Sequence, residues 1–149
     1  MNTLDSIDKQ LIMLMGKNAR QSSKTLARKL NVSEATVRRR LRRLIKDDLL
    51  RIVGIADPAI LGYGLGVVIN LDVEQKQVKP VMDWLVKRPE VKWASTTTGR
   101  FDITAIARFE STSHLSNFLT NELTTQDGIK DSETLLSLNV RKGRQTSLL

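Results

Sequence analysis

The sequence predicts an α+β chain in two parts, three helices followed by a βαββαβ unit. Three observations carry that prediction. Apolar residues recur at helical spacing as far as Leu44, and from Leu65 they recur at every second position. The formal charge of +8 falls entirely in residues 1–56, which hold 13 Lys/Arg against 5 Asp/Glu, whereas the rest balances 11 against 11. Between these parts lies Asp57-Pro58, a turn-forming pair. The expected domains are therefore residues 1–56, a hinge over 57–63, and residues 64–149.

A length of 149 residues suits two small domains, and a hydrophobic fraction of 40% supports packed cores. With no cysteine, the chain has no disulfide, thiolate metal site or cysteine nucleophile. His114 is the single histidine, so no histidine-based metal cluster or catalytic triad can be assembled; it is expected on the surface. No apolar run is long enough to span a bilayer, and Met1–Asp5 lacks the basic and apolar regions of a secretory signal. The expectation is a cytoplasmic protein with no membrane contact, no metal, no catalytic residues and no obligatory cofactor.

The first helix is expected from about Leu4 to Asn18, where Leu4, Ile7, Leu11, Ile12, Leu14 and Met15 share helical spacing and Asp5 and Asp8 lie in the first turn. Ser22 or Ser23 caps a second helix, Lys24 to Leu30, which stops at Asn31. Ser33 then caps a third, with Glu34 in its first turn and Val37, Leu41 and Leu44 on one apolar face. Ala35, Arg39, Arg42, Arg43 and Lys46 point away from that face, and Thr36 and Arg38 flank it. Arg40 falls nearer the apolar edge, roughly 70° from its centre, so a structural role and a phosphate contact are equally open. A short helix, a tight turn and a longer basic helix make a helix-turn-helix. On that pattern Ser33, Ala35, Thr36, Arg38, Arg39, Arg40, Arg42, Arg43 and Lys46 are the candidate DNA-binding residues. Arg39, Arg42 and Arg43 are best placed for phosphates, and Ala35 and Thr36 for base edges. Leu49 to Ile55 is β-prone and is expected to form a wing or a strand leading onward.

In the second part, Leu65, Val67, Ile69, Leu71 and Val73 alternate along a first strand. Val78, Val81, Met82 and Leu85 form a helix ending near Arg88-Pro89. Strands follow over Val91–Thr97 and Phe101–Phe109 with Gly99-Arg100 at the turn, then a helix with Leu115, Phe118, Leu119 and Leu123, and a last strand from Ile129 to Val140. This βαββαβ order is the ferredoxin-like arrangement, with both helices on one sheet face. The other face, with Leu136, Leu138 and Val140, is expected to stay apolar and to pair with a second copy. The closing residues 141–149 turn from basic to apolar and are expected either to fray or to dock their leucines on a neighbouring subunit.

The opening Asp-x-x-hydrophobic pattern, the helix with Ser33, Thr36, Val37, Arg40 and Leu44, and the hinge with Asp57, Pro58, Leu61 and Gly62 resemble the Lrp/AsnC (feast/famine) transcription regulators. The resemblance departs at Asp47-Asp48-Leu49, where members often carry Glu-Glu-Gly before the wing. It implies an N-terminal winged helix-turn-helix domain bound to double-stranded DNA. It also implies a ferredoxin-like effector-sensing domain that forms a homodimer, often assembled to a tetramer or octamer. Thr97, Thr98, Gly99, Arg100 and Asp102 match the family's Gly-x-aromatic-Asp loop, near which amino-acid effectors bind; Asp102 as a cap on backbone amides is the equally open alternative. Two competing functions remain at this point: an architectural protein that coats DNA, and a sirohaem decarboxylase-like enzyme, which shares the two-module order but favours more histidine than this chain holds.

Overall fold

The computed structural model describes residues 4–141, and the expectation for the closing leucines falls outside them. Two compact units divide between Gly54 and Ile55. In the first, α1 (Ser6–Lys17), α2 (Ser23–Leu30) and α3 (Glu34–Lys46) bury Leu11, Met15, Leu26, Ala27, Val37 and Leu44 in one small core. Each helix opens on a side-chain cap. Asp5 accepts from the Asp8 N–H, Ser22 from the Thr25 N–H and Ser33 from the Thr36 N–H. Asn31 ends α2 in the left-handed region at φ 52°, a conformation asparagine tolerates.

The expected wing does not form. The Leu49 and Leu50 N–H groups bond back to the Leu44 carbonyl at 2.9 and 3.1 Å, and residues 51–56 run exposed without strand pairing. A β-prone segment becomes a strand only where another strand takes up its backbone groups, and this unit supplies none.

The second unit begins with a turn over 57–63, in which the Ile60, Leu61 and Tyr63 N–H groups bond the carbonyls of Asp57 and Pro58. It continues as β1 (Leu65–Val73), α4 (Val78–Leu85), β2 (Val91–Thr96), β3 (Ile103–Phe109), α5 (Thr112–Asn117) and β4 (Ile129–Leu136). A 3-10 turn over Gln75–Gln77 leads into α4. Beyond α5 the chain stays helical through a π turn over Phe118–Glu122 and a 3-10 turn over Leu123–Thr125. The sheet is antiparallel in the order β2-β3-β1-β4, the ferredoxin-like arrangement.

Alternation sorts the sheet into two faces. Val67, Ile69, Leu71, Val73, Ile103, Ala107 and Phe109 pack with Val81, Leu85, Phe118 and Leu123 from the helical side. Phe118 anchors that layer, with its ring 5.2 Å from Phe109 and 5.7 Å from Trp84. His114 departs from its expected surface setting. It is half-buried, with Nε2 3.1 Å from Glu90 and its ring edge-on to Phe109.

The open face is partly apolar, though not through the residues expected, and its row Glu133–Asn70–Thr104–Ser95 is polar. The last strand stops at Leu136, which pairs with Val67 and therefore shares the helix-side face, while Leu138 lies beyond the strand, 90% exposed. The open-face row is instead Leu135–Val68–Ile106–Trp93 across β4, β1, β3 and β2. Its ends are uncovered, Leu135 at 49% and Trp93 at 41% exposure. Counting alternation along β4 alone could not establish which parity faces the helices, because that is set by register with β1.

Candidate nucleic-acid interface and effector loop

α3 presents two kinds of arginine. Ser33, Ala35, Arg38, Arg39, Arg42 and Lys46 are exposed, Thr36 and Arg43 are half-covered, and Val37 and Leu44 beneath them are fully buried. Arg39 and Lys46 make no ion pair with any described residue, and Arg42 only reaches the Arg38 carbonyl, at 3.4 Å. Arg38 pairs with Glu34 one turn earlier at 3.1 Å, an exposed contact of small energy that a phosphate can displace. At the helix start the Ser33 and Thr36 hydroxyls lie 2.9 Å apart, which fixes the first turn beside the exposed Ala35.

Arg40 and Arg43 behave differently. Arg40 Nη1 donates to Asp5 Oδ2 at 2.6 Å and to Asp8 Oδ1 at 2.9 Å, and Arg43 Nη2 donates to Asp8 Oδ2. Asp8 is 1% exposed, the single buried charged residue described, so two guanidinium groups neutralise a carboxylate that burial would otherwise penalise. The same carboxylate closes a capping box on α1, taking the Asp5 N–H at 3.3 Å. Arg40 is thereby held by two carboxylates within its own unit. Arg43 shares that anchor and remains 41% exposed, so it keeps access to solvent beyond the carboxylate. A cleft of about 210 Å³ lies between Asp5, Arg39, Arg40 and Arg43.

The charge coupling shows in the proton affinities. Asp5 is held below its ordinary value, first by the Asp8 backbone N–H and then by Arg40. Arg40 is raised by its bonds to Asp8 and then Asp5. Asp48 is lowered by Arg51, which it holds at 2.6 Å just beyond α3.

Along the sequence alone, Asp5 and Asp8 read only as complements to a helix dipole. The signal for more was present: two acids three residues apart on α1 and two arginines three residues apart on α3 each present one helix face. Nothing local says that those faces meet.

The loop over 97–102 closes on itself and on β1. The Thr97 N–H bonds the Asp102 carbonyl at 2.9 Å, and the Thr97 hydroxyl bonds the Phe101 carbonyl at 2.8 Å. Gly99 turns the chain at φ 114°, a conformation L side chains rarely adopt. Asp102 caps the end of β1: its N–H donates to the Leu71 carbonyl and its Oδ2 accepts the Val73 N–H, both at 2.9 Å. Arg100 lies 4.9 Å above the Phe101 ring and 3.6 Å from Asp131, while Thr98 is exposed. Among the described residues no group of three or more His, Cys, Asp or Glu is placed to hold a metal ion, and no helix is long and apolar enough to cross a membrane.

Comparison with known proteins agrees with this geometry. The family model described as the AsnC-type helix-turn-helix domain matches residues 4–45, and that of the Lrp/AsnC ligand binding domain matches residues 66–146. An uncharacterised HTH-type transcriptional regulator of Pyrococcus horikoshii is 34% identical over 140 residues, covering 93% of this chain and 89% of that protein. The structure of AsnC from E. coli superposes with a TM-score of 0.83 at 27% identity, over 93% of this chain and 95% of its own. A transcriptional regulator of Neisseria meningitidis, solved as an L-Met complex, shares the fold with a TM-score of 0.83 at 23% identity, over 94% and 93% of the two chains. The decarboxylase and DNA-coating alternatives gain no support from these matches.

Proposed function

Because the chain belongs to the Lrp/AsnC family of transcriptional regulators, we propose that it reads double-stranded DNA through α3, as a symmetric assembly tuned by a small effector. One observation carries the reading: α3 is buried along Val37 and Leu44 while Arg39, Arg42 and Lys46 stand exposed and without acidic partners among the described residues. Arg38, Arg39, Arg42 and Lys46 engage phosphates, and Ser33, Ala35 and Thr36 approach base edges in the major groove. Arg40 and Arg43 hold α3 against α1, and Arg43 adds a phosphate contact from its exposed side.

The row Leu135–Val68–Ile106–Trp93 is the face through which two copies pair, since one self-complementary patch suffices for a two-fold dimer. Further association to a tetramer or octamer brings the 97–102 loops to subunit boundaries. There Thr97, Thr98, Gly99, Arg100 and Asp102 contribute to an amino-acid site, in line with the L-Met complex of the Neisseria regulator. The protein acts in the cytoplasm, where its DNA is, and catalyses no reaction.

Selection of binding sites from random duplex DNA by the full chain, followed by anisotropy titration of the enriched sequence at several salt concentrations, tests this. The expected result is a pair of related half-sites about one helical turn apart, with affinity falling steeply as salt rises. Salt-sensitive binding with no enriched sequence overturns sequence-specific recognition, and absence of binding overturns the DNA-binding role.

A further inference from the structure

Arg108 is the anomalous cation of the second unit. Its Nε is buried without a hydrogen-bond partner, as are the Nε atoms of Arg40, Arg43 and Arg88. Those three guanidinium groups are each paired elsewhere, with Asp5 and Asp8, with Asp8, and with Glu122. The Arg108 side chain has no hydrogen bond or ion pair to any described residue, although the residue is half-buried. Buried donors left unmade are costly, so the orphaned Arg108 Nε–H calls for a partner.

The recess is a pocket of about 160 Å³ at the start of β1 and the ends of β3 and β4. Asp57, Tyr63, Arg108, Ser137 and Asn139 supply its polar lining. Arg108 Nη1 passes over Gly66, where an added Cβ would stand 3.8 Å from it and 4.0 Å from the Ser137 Cβ, so the guanidinium and Ser137 share one corner. Asp57 lines the same pocket yet forms no ion pair with Arg108; one of its oxygens accepts the Ala59 N–H at 3.0 Å. The pocket therefore holds one positive and one negative group that do not neutralise each other.

We propose that this pocket binds a small zwitterion, an α-amino acid whose carboxylate meets Arg108 and Ser137 and whose ammonium meets Asp57. A planar guanidinium recognises a carboxylate through paired N–H groups. A ligand with both charges satisfies the two walls together, whereas a simple anion would face Asp57 and a simple amine would face Arg108. The volume sets the size, since a cavity of about 150 Å³ takes a molecule of six heavy atoms. That matches alanine in size, and a longer side chain would have to extend out through the open mouth of the pocket. The site is separate from the 97–102 loop: Asp102 adjoins Leu71 and Val73 at one end of β1, and Arg108 pairs with Gly66 at the other, roughly 20 Å along the strand.

Calorimetric titration of the full chain with three molecules of equal heavy-atom count tests the assignment: L-alanine, pyruvate, which lacks the ammonium, and alaninamide, which lacks the carboxylate. Alanine is expected to bind saturably with a dissociation constant on the order of 1 mM, and each analogue about tenfold or more weaker. Arg108→Gln and Asp57→Asn are each expected to weaken alanine by about tenfold or more. The asparagine retains an acceptor for the Ala59 N–H, so the turn stays folded. If Arg108→Gln does not fold, Arg108→Lys, which keeps the charge but not the fork, is expected to bind alanine several-fold more weakly. Lack of saturable alanine binding overturns the proposal, and so does pyruvate binding as tightly as alanine. Alanine affinity that is indifferent to both Asp57→Asn and the Arg108 variants also overturns it while leaving the effector loop intact as the binding site. Loss of self-association in Arg108→Gln without any alanine binding to the parent assigns Arg108 to contacts between copies and overturns it too.

Discussion

Arg40 and Asp8 lie 32 residues apart in the chain and meet at 2.9 Å, with Arg43 on the other oxygen of the same carboxylate. Asp8 thus serves three groups, the two guanidiniums of α3 and the backbone at the start of α1. Replacing it with Asn keeps the shape but leaves two guanidiniums facing a neutral amide. Asp8→Asn is expected to lower stability by about 3 kcal/mol, the lower end for a broken buried pair, because Arg43 remains partly solvated. Urea unfolding of the full chain measures it; a midpoint equal to that of the parent would remove the anchor role.

Acid should act on Asp5 of that cluster and on the separate Asp48–Arg51 pair. The folded states of Asp5 and Asp48 bind protons at lower pH than the ordinary value of 3.8. Their stabilisation is therefore fully present above that value and is lost as pH falls through the lower folded values. Melting temperature is expected to drop below about pH 4, and the drop should be shallower in Asp5→Asn. A pH profile unchanged by that substitution assigns the acid sensitivity elsewhere. Both carboxyls are largely solvated, so the effect is small.

The two kinds of arginine separate in a single pair of variants. Arg39→Ala removes an exposed, unpaired cation and should reduce the slope of log affinity against log salt by about 0.9, with the urea midpoint unchanged. Arg43→Ala should weaken DNA binding and also cost about 1 kcal/mol or more of stability, since it strips a partner from buried Asp8. Identical salt slopes for Arg39→Ala and the parent would take Arg39 off the DNA surface.

In the 97–102 loop, Asp102 is required first as an acceptor. Asp102→Ala frees the Val73 N–H and is expected to cost about 1–3 kcal/mol, whereas Asp102→Asn, which still accepts, should stay near the parent. Thermal melting separates the two. An amino-acid effect on melting that survives Asp102→Ala would place the effector away from this loop.

Gly128 precedes β4 at φ +84°, and an added Cβ would lie 2.5 Å from Gln77 Cγ. Gly128→Ala is expected to cost about 1–3 kcal/mol from backbone strain alone, with steric overlap on top. Truncating the neighbour as well, in Gly128→Ala with Gln77→Ala, removes Cγ but leaves Gln77 Cβ 2.6 Å from the added Cβ, so it should recover only part of the steric share. Full recovery in the double variant would show that the backbone conformation itself carries no cost.

Local spacing along the chain specifies the elements and their apolar faces. Val37, Leu41 and Leu44 define the buried stripe of α3, Ser33 its start, and the alternation from Leu65 to Val73 the first strand, because helical and pleated periods are properties of consecutive residues. Arg40 stood out at the edge of the stripe for the same reason. Tertiary structure alone decided which groups meet across the fold. It brought Asp8 against Arg40 and Arg43, denied Leu49–Ile55 a partner strand, and paired Leu136 with Val67 so that Leu135 turns to the open face. The reason is physical: periodicity says which side of an element is apolar or charged, but an ion pair, a strand or a sheet face exists only once a second element supplies the other half.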